Sequence, residues 1–376
     1  MEYILVEDQI TLQKMIAQCA DVEVLAIDTE FIRQRTYYPI LGLFQLYNGT
    51  ETYLVDPLSV DDLSTLWQLL DRQPVVLHAC SEDLDVFKTV ANKIPDFFHD
   101  TQIAAAFSGL GSSLGFGGLV SEFQKITLDK GESRSNWLAR PLTEKQLSYA
   151  AADVYHLLPC WNELKAKLVE LGYYDYYLQE LDNLRRRKSE KKKPSTVYKQ
   201  FKNASFLSPR QLATLQALGE WRENNAVNRD MAVNFVVKEA HLLEVAKQQP
   251  KSLRDLNKIE LLPIEIKRHG KQILEIVKQT EQLADSELPE PLTRISDHPG
   301  YKKVVQAMRN KIAIVAEKTN IPAELIGSKK IINELLNWCW KLTDEQREVG
   351  VKPIMLCNWR AELIGNVLFE SLMADK

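Results

Sequence analysis

The sequence has no Cys-x-x-Cys pair and no cysteine–histidine cluster with the spacing of a structural zinc site. Its five cysteines, Cys19, Cys80, Cys160, Cys339 and Cys357, are odd in number and scattered. That excludes a disulfide framework and reads as reduced, mostly buried thiols of a cytoplasmic protein. No Gly-x-x-x-x-Gly-Lys-Ser/Thr loop occurs, because the glycine-rich stretch 109–118 carries no lysine; a helicase or other P-loop enzyme is excluded with it. Positive charge is not in excess either. Lys and Arg number 47 against 51 Asp and Glu, a net charge of −4, so bulk charge alone does not mark a nucleic-acid binder. Met1-Glu2-Tyr3, with Glu7 and Asp8 close behind, lacks the basic and apolar regions of a signal peptide. The longest uncharged stretch, 101–121, is broken by glycine and serine and predicts a helix–loop–helix, not a membrane span.

What remains is an ordinary globular composition, 45% hydrophobic and 26% charged over 376 residues. At roughly 100–200 residues per domain this length predicts two or three domains with substantial cores. The first part alternates strand and helix patterns. Val24-Leu-Ala-Ile27 runs into Asp28-Thr-Glu-Phe31, and 41–47 and 53–55 are β-prone runs around an Asn48-Gly49 turn. Residues 61–71 have helical spacing, 75–78 form another short strand, and helices follow from about Asp83 to Gly172. A mixed sheet with helices packed on it is an α/β fold. Between Arg185 and Lys202 the chain becomes basic, with Arg186, Arg187, Lys188, Lys191, Lys192, Lys193 and Lys199 against the single acid Glu190. This is expected to be a linker, solvated or in contact with phosphates. Beyond Ser205 the pattern is all helical. Ser208-Pro209 caps a helix whose Leu212, Leu215, Leu218 and Trp221 form a core face, and Lys267, Arg268, His269 and Lys271 offer a basic group for RNA.

The chemistry lies in the acidic residues of the first part. Asp28 and Glu30 flank Thr29 at the end of a strand, and period 2 points both side chains to one face. Two carboxylates forced together repel unless a cation joins them, although an isolated Asp-x-Glu is also what a surface strand end looks like. Asp83 opens a helix after the strand ending at His78, where a first-turn acid is also favoured by the helix dipole; Asp85 is the alternative. Tyr149 and Asp153, at i and i+4, share a helix face with three alanines between them.

In this order the motifs resemble the DEDD superfamily of 3′→5′ exonucleases, which carries Asp-x-Glu on the first strand, an Asp opening a middle helix, and Tyr-x-x-x-Asp or His-x-x-x-x-Asp on a late helix. Ser148 stands where the histidine subgroup has its histidine, so the match is to the tyrosine subgroup. His78-Ala-Cys-Ser-Glu-Asp83, Phe98-His-Asp-Thr-Gln-Ile103 and the segment from Glu132 to Leu142 are similar to segments around the catalytic site of bacterial ribonuclease D. Leu218-Gly-Glu-Trp-Arg222 and Asn234-Phe-Val-Val-Lys-Glu239 resemble an HRDC module. In the last block Asn358-Trp-Arg360 departs from an expected Gly-Trp-Arg.

The resemblance implies a ribonuclease H-like exonuclease domain with a mixed sheet flanked by helices, over 1–182. A basic linker at 183–204 and two all-α HRDC-type domains at 205–286 and 292–376 would follow. It implies a divalent-metal-dependent 3′→5′ exoribonuclease that trims the 3′ ends of tRNA and other small RNA precursors and releases nucleoside 5′-monophosphates. Asp28, Glu30, Asp83 and Asp153 would hold two ions. Four acids without a histidine or cysteine suit Mg²⁺ or Mn²⁺, not zinc. Tyr149, with an ordinary phenol pKa near 10, would orient the attacking water and not act as its base. Phe31 is expected to stack on the terminal base or fill the core, and His78 to contact the scissile region or serve structure. Arg134, Trp137 and Arg140 form a basic–aromatic cluster suited to phosphate and base contacts. Asp100 is expected to be a helix cap or a supporting acid. The partner is RNA with a free 3′ end, with no nucleotide cofactor and no membrane. A DNA-directed 3′→5′ exonuclease shares this metal chemistry. A non-catalytic nucleic-acid-binding scaffold is disfavoured because all four carboxylates and the tyrosine are present.

Overall fold

The computed structural model describes residues 2–129, 131–191 and 193–374. The chain divides into two units: Met1–Ile32, Ile40–Ser189 and His298–Lys376 form one, and Arg33–Pro39 with Glu190–Asp297 the other.

In the first unit the elements run β1 (Ile4–Val6), α1 (Gln9–Cys19), β2 (Leu25–Ile32), β3 (Ile40–Tyr47), β4 (Thr52–Val55), α2 (Ser64–Arg72), β5 (Val75–Leu77), α3 (Ser81–Val90) and β6 (Phe98–Asp100). Then come α4 (Thr101–Phe107), α5 (Phe116–Gln124), α6 (Glu144–Tyr155), α7 (Leu157–Glu170) and α8 (Tyr174–Ser189). The strands form one mixed sheet in the order β1-β4-β3-β2-β5-β6. β2 and β4 pair antiparallel with β3, while β1 on β4, β5 on β2 and β6 on β5 are parallel. Turn chemistry explains the meander: the Asn48 side chain accepts from the N–H groups of Thr50 and Glu51, closing the β3–β4 connection. The helix–loop–helix expected over 101–121 is α4 and α5.

α6 packs on one sheet face. A capping box sets its start, with the Thr143 hydroxyl accepting from Gln146 N and the Gln146 side chain accepting from Thr143 N. Ala150 and Ala151 are fully buried against Leu43 and Leu54, so two of the three alanines between Tyr149 and Asp153 bring helix and sheet together. The segment before α6 comes equally close. A Cβ on Gly42 would lie 2.6 Å from the Trp137 carbonyl oxygen, so only glycine fits there.

The basic run is less of a linker than its composition suggests. Arg185 to Lys188 complete the last turns of α8, where cations suit the helix dipole. Arg186 pairs with Asp182 at 3.3 Å and Lys188 with Asp85 at 3.0 Å. A 3₁₀ helix follows at Pro194–Gln200. Lys192 lies outside the described residues.

The C-terminal segment belongs to the same unit as the sheet. Trp359 is buried, its ring 5.1 Å from that of Phe107 in α4 and stacked at 5.9 Å on Tyr176 in α8. Its backbone N–H donates to Gln179 and its indole to Glu180. Arg360, 2% exposed, donates to Glu180 at 2.6 Å and to the Leu325 and Ile326 carbonyls. Asn358, where a glycine was expected, has φ +51, a left-handed conformation that asparagine tolerates better than most residues.

The second unit is helical. Ser208 caps a helix at Pro209–Asn228, as the sequence predicts, with Leu212, Leu215 and Leu218 fully buried and Trp221 packed against the same core. His269, expected in a basic surface group, instead faces that core: it is 3% exposed and edge-on to Trp221 at 5.3 Å. No helix among the described residues is long and apolar enough to cross a membrane.

Candidate active site

Two elements converge on one locus. β2 supplies Asp28 and Glu30, both on the face that α6 covers, and α6 supplies Tyr149 and Asp153. One carboxylate oxygen from each of Asp28, Glu30 and Asp153 lies within 4.8 Å of the others. Two oxygens on opposite sides of one Mg²⁺ stand roughly 4 Å apart, so this spacing fits a small hard cation.

Electrostatics point the same way. Burial, then the charges of Asp83, Asp153 and Glu30, push the Asp28 carboxyl well above the usual range. Burial and the Asp153 and Asp83 charges push Glu30 up to about 9. Burial pushes Asp153 up to about 7 against an opposing hydrogen bond from Tyr149. Like charges packed out of water resist ionisation until a cation neutralises them. The donors are all carboxylate oxygens, which suits a divalent cation of the magnesium type.

Asp83 stands beside this trio, not within it. It is the third residue of α3, 7% exposed, and its carboxylate accepts from the Thr29 hydroxyl, which β2 projects to the opposite face from Asp28 and Glu30. Burial raises it to about 6, with Thr29 opposing. Its position depends on the turn before α3, where Ala79 has φ +55. The Asp100 carboxylate accepts from the Ala79 and Cys80 N–H groups at 3.1 and 2.9 Å while also capping α4. Asp100 N–H donates in turn to the hydroxyl of Tyr177, which is fully buried in α8. Thr29 and Tyr177 carry no sequence signature of these roles. Asp100 did, as a cap, but its second duty at the 79–80 turn is visible only in three dimensions.

Tyr149 is half-buried. Burial first, then the charges of Asp153, Glu30 and Asp28, drive its phenol further above its ordinary value, so at neutral pH it is a proton donor. It lines a cavity of about 300 Å³ together with Leu128, Glu132, Lys145, Ala152 and Asp153.

The expected substrate contacts divide. Phe31 is half-buried, just past a β-bulge between Glu30 and itself. Arg134 is exposed. His78 is held inside, its Nδ1 2.9 Å from the Thr101 hydroxyl, and burial lowers its pKa against the Asp100 charge. Two placements correct the sequence reading. Trp137 is 1% exposed in the core against Leu43 and Leu54, which leaves no ring face for a base. Arg140 grips Asp56 with Nε and Nη2 at 2.6 and 2.7 Å and donates to the Gly42, Trp137 and Ala139 carbonyls. Its planar fork is spent on fixing the segment ahead of α6.

The sequence matches the 3'-5' exonuclease family over residues 3–169, the HRDC domain over 211–277 and the C-terminal HRDC domain of ribonuclease D over 299–368. It is 44% identical to the ribonuclease D of Serratia proteamaculans (strain 568), over 99% of this chain and 99% of that protein. The chain belongs to the ribonuclease D family. It is also 44% identical to the Escherichia coli (strain K12) ribonuclease D, over 93% of this chain and 92% of that protein. The crystal structure of Escherichia coli RNase D, an exoribonuclease involved in structured RNA processing, superposes with a TM-score of 0.94 at 41% identity, covering 100% of this chain and 99% of that one. This chain is accordingly a 3′→5′ exoribonuclease whose substrate is RNA, with a ribonuclease D fold of exonuclease domain and HRDC helical domains. Enzymes of this exonuclease type work with divalent metal ions, in keeping with the carboxylate cluster.

Proposed function

We propose that Asp28, Glu30, Asp83 and Asp153 hold two divalent ions, Mg²⁺ or Mn²⁺, at the scissile phosphodiester of an RNA 3′ end, and that the products are nucleoside 5′-monophosphates. The convergence of Asp28, Glu30 and Asp153 within 4.8 Å carries this reading. Bound there, the ions would supply charge neutralisation and water activation. The chain's own residues do the rest. Thr29 and Asp100 set the position of Asp83, and the Tyr149 hydroxyl hydrogen-bonds the attacking water and aligns it with the phosphorus. Phe31 and Arg134 contact the terminal nucleotide, and His78 contacts the scissile region.

Tyr149→Phe is expected to lower kcat about 10- to 100-fold at saturating metal with KM for RNA little changed. Unchanged turnover would remove the tyrosine from the mechanism.

We further propose that the natural substrates are 3′-extended precursors of tRNA and other small RNAs, met in the cytoplasm. The working parts would be an exonuclease domain at 1–182, a basic stretch at 183–204 and helical modules at 205–286 and 292–376 that add RNA affinity. Family matches at 3–169, 211–277 and 299–368 support that division. Digestion of a tRNA precursor bearing a 3′ trailer, with chromatography of the products, tests the reading. Trailer removal with 5′-monophosphates is expected; 3′-monophosphates, or an untouched trailer, would reject it.

A further inference from the structure

Gln45 sits in the middle of β3 and is fully buried. The antiparallel register sets it directly opposite Asp28 on β2 and Leu54 on β4. Directly opposed residues of antiparallel strands project to the same face, so Asp28, Gln45 and Leu54 form one row beneath α6. In the next row Glu30 stands opposite Leu43. Neither Nε2 nor Oε1 of Gln45 has a hydrogen-bond partner among the described residues.

A buried amide with both atoms unpaired costs free energy that a leucine or methionine of similar volume would not. Leu43 and Leu54 on either side show that aliphatic side chains fit this layer. The amide gains nothing from the packing around it, and the polar group that shares its row is Asp28. Facing Cβ atoms in such a pair lie about 4.5–5.5 Å apart, so rotation of the Gln45 side chain can bring its amide to the neighbouring carboxylate, although the two share no hydrogen bond in this structure.

On the reading that Asp28 holds a divalent ion, we propose that Gln45 is the positioning residue for that carboxylate. Once a bound ion ionises Asp28, the free Nε2–H of Gln45 would turn to donate to that carboxylate and fix which oxygen faces the cation. A donor behind a metal-ligating carboxylate selects one rotamer and one ligating oxygen, and losing such a partner characteristically weakens metal affinity 10- to 100-fold.

The test is a thermal-shift titration of the full-length protein with Mn²⁺, comparing wild type, Gln45→Met and Asp28→Asn after chelator treatment. Gln45→Leu serves as a second apolar replacement should the methionine variant fail to fold. Wild type is expected to gain stability with Mn²⁺. Gln45→Met should match or exceed the wild-type Tm in chelator, because its unpaired amide is gone. It should then need at least tenfold more Mn²⁺ for half of its shift, with KM for RNA unchanged. Asp28→Asn should show little shift. If the Gln45→Met titration superposes on wild type, Gln45 is structural only and the proposal falls while the metal site stands. If wild type itself shows no Mn²⁺-dependent shift, the metal-site reading fails and the proposal with it.

Discussion

Asp153→Asn is expected to raise the stability of the metal-free protein while abolishing hydrolysis. Burial lifts the folded-state pKa of Asp153 from the ordinary 3.8 to about 7. A carboxyl raised on folding binds its proton more tightly in the native state. Its contribution is therefore neutral below the unfolded value and becomes a penalty as pH rises from about 4 through 7. Glu30, raised to about 9, extends that window upward. At pH 8 in chelator the asparagine variant lacks the penalty, and a gain of roughly 1–3 kcal/mol follows, discounted from the full shift because these acids share their repulsion. The wild type should lose stability between pH 5 and 8 more steeply than Asp153→Asn. Divalent metal should restore the wild type and not the variant. Turnover should fall at least about 10³-fold, as befits a residue acting in the reaction. A variant less stable than wild type in chelator at pH 8 would contradict this description of the site.

Arg360→Ala is expected to be among the most destabilising substitutions away from the active site. Its guanidinium is 2% exposed and pairs with Glu180, 6% exposed at the side chain, at 2.6 Å. It also satisfies the Leu325 and Ile326 carbonyls and lies 4.3 Å over the Trp359 ring. Truncation leaves a buried carboxylate without its counter-charge, which costs about 3–5 kcal/mol. A fall in Tm on the order of 10 °C follows in thermal unfolding. The double replacement Glu180→Leu with Arg360→Met should recover most of that loss, since an apolar pair of similar volume carries no desolvation cost. A single variant with wild-type Tm would show that the C-terminal segment does not depend on this pair. The network also leads inward. Glu180 is one helical turn from Tyr177, whose hydroxyl accepts from Asp100 N–H, and Asp100 holds the turn before Asp83.

What the sequence made legible follows from how local each feature is. Asp28 and Glu30 share a face because a strand has period 2, and Tyr149 and Asp153 because i and i+4 adjoin on a helix. Neither needs tertiary information. The Ser208 cap and the buried Leu212, Leu215 and Leu218 were readable for the same reason. β6, three residues with Phe98 alone apolar, leaves too brief a pattern to detect, whereas the equally short β5 is wholly apolar. Trp137 and Arg140 looked like substrate contacts because basic and aromatic residues together suit RNA. The partner that claims Arg140 is Asp56, 84 residues away, and no local pattern announces it. Likewise Gln45 is an ordinary strand residue until register places it opposite Asp28.

One measurement bears most directly on the central claim that these carboxylates form a metal-dependent exoribonuclease site. Single-stranded RNA and DNA of one sequence, labelled at the 5′ end, are incubated with wild type and with Asp28→Ala, in Mg²⁺ or Mn²⁺ and in chelator. The expected result is a one-nucleotide ladder on RNA that needs metal and is absent from the variant. A ladder that persists in chelator or in Asp28→Ala, or one confined to DNA, would contradict the account.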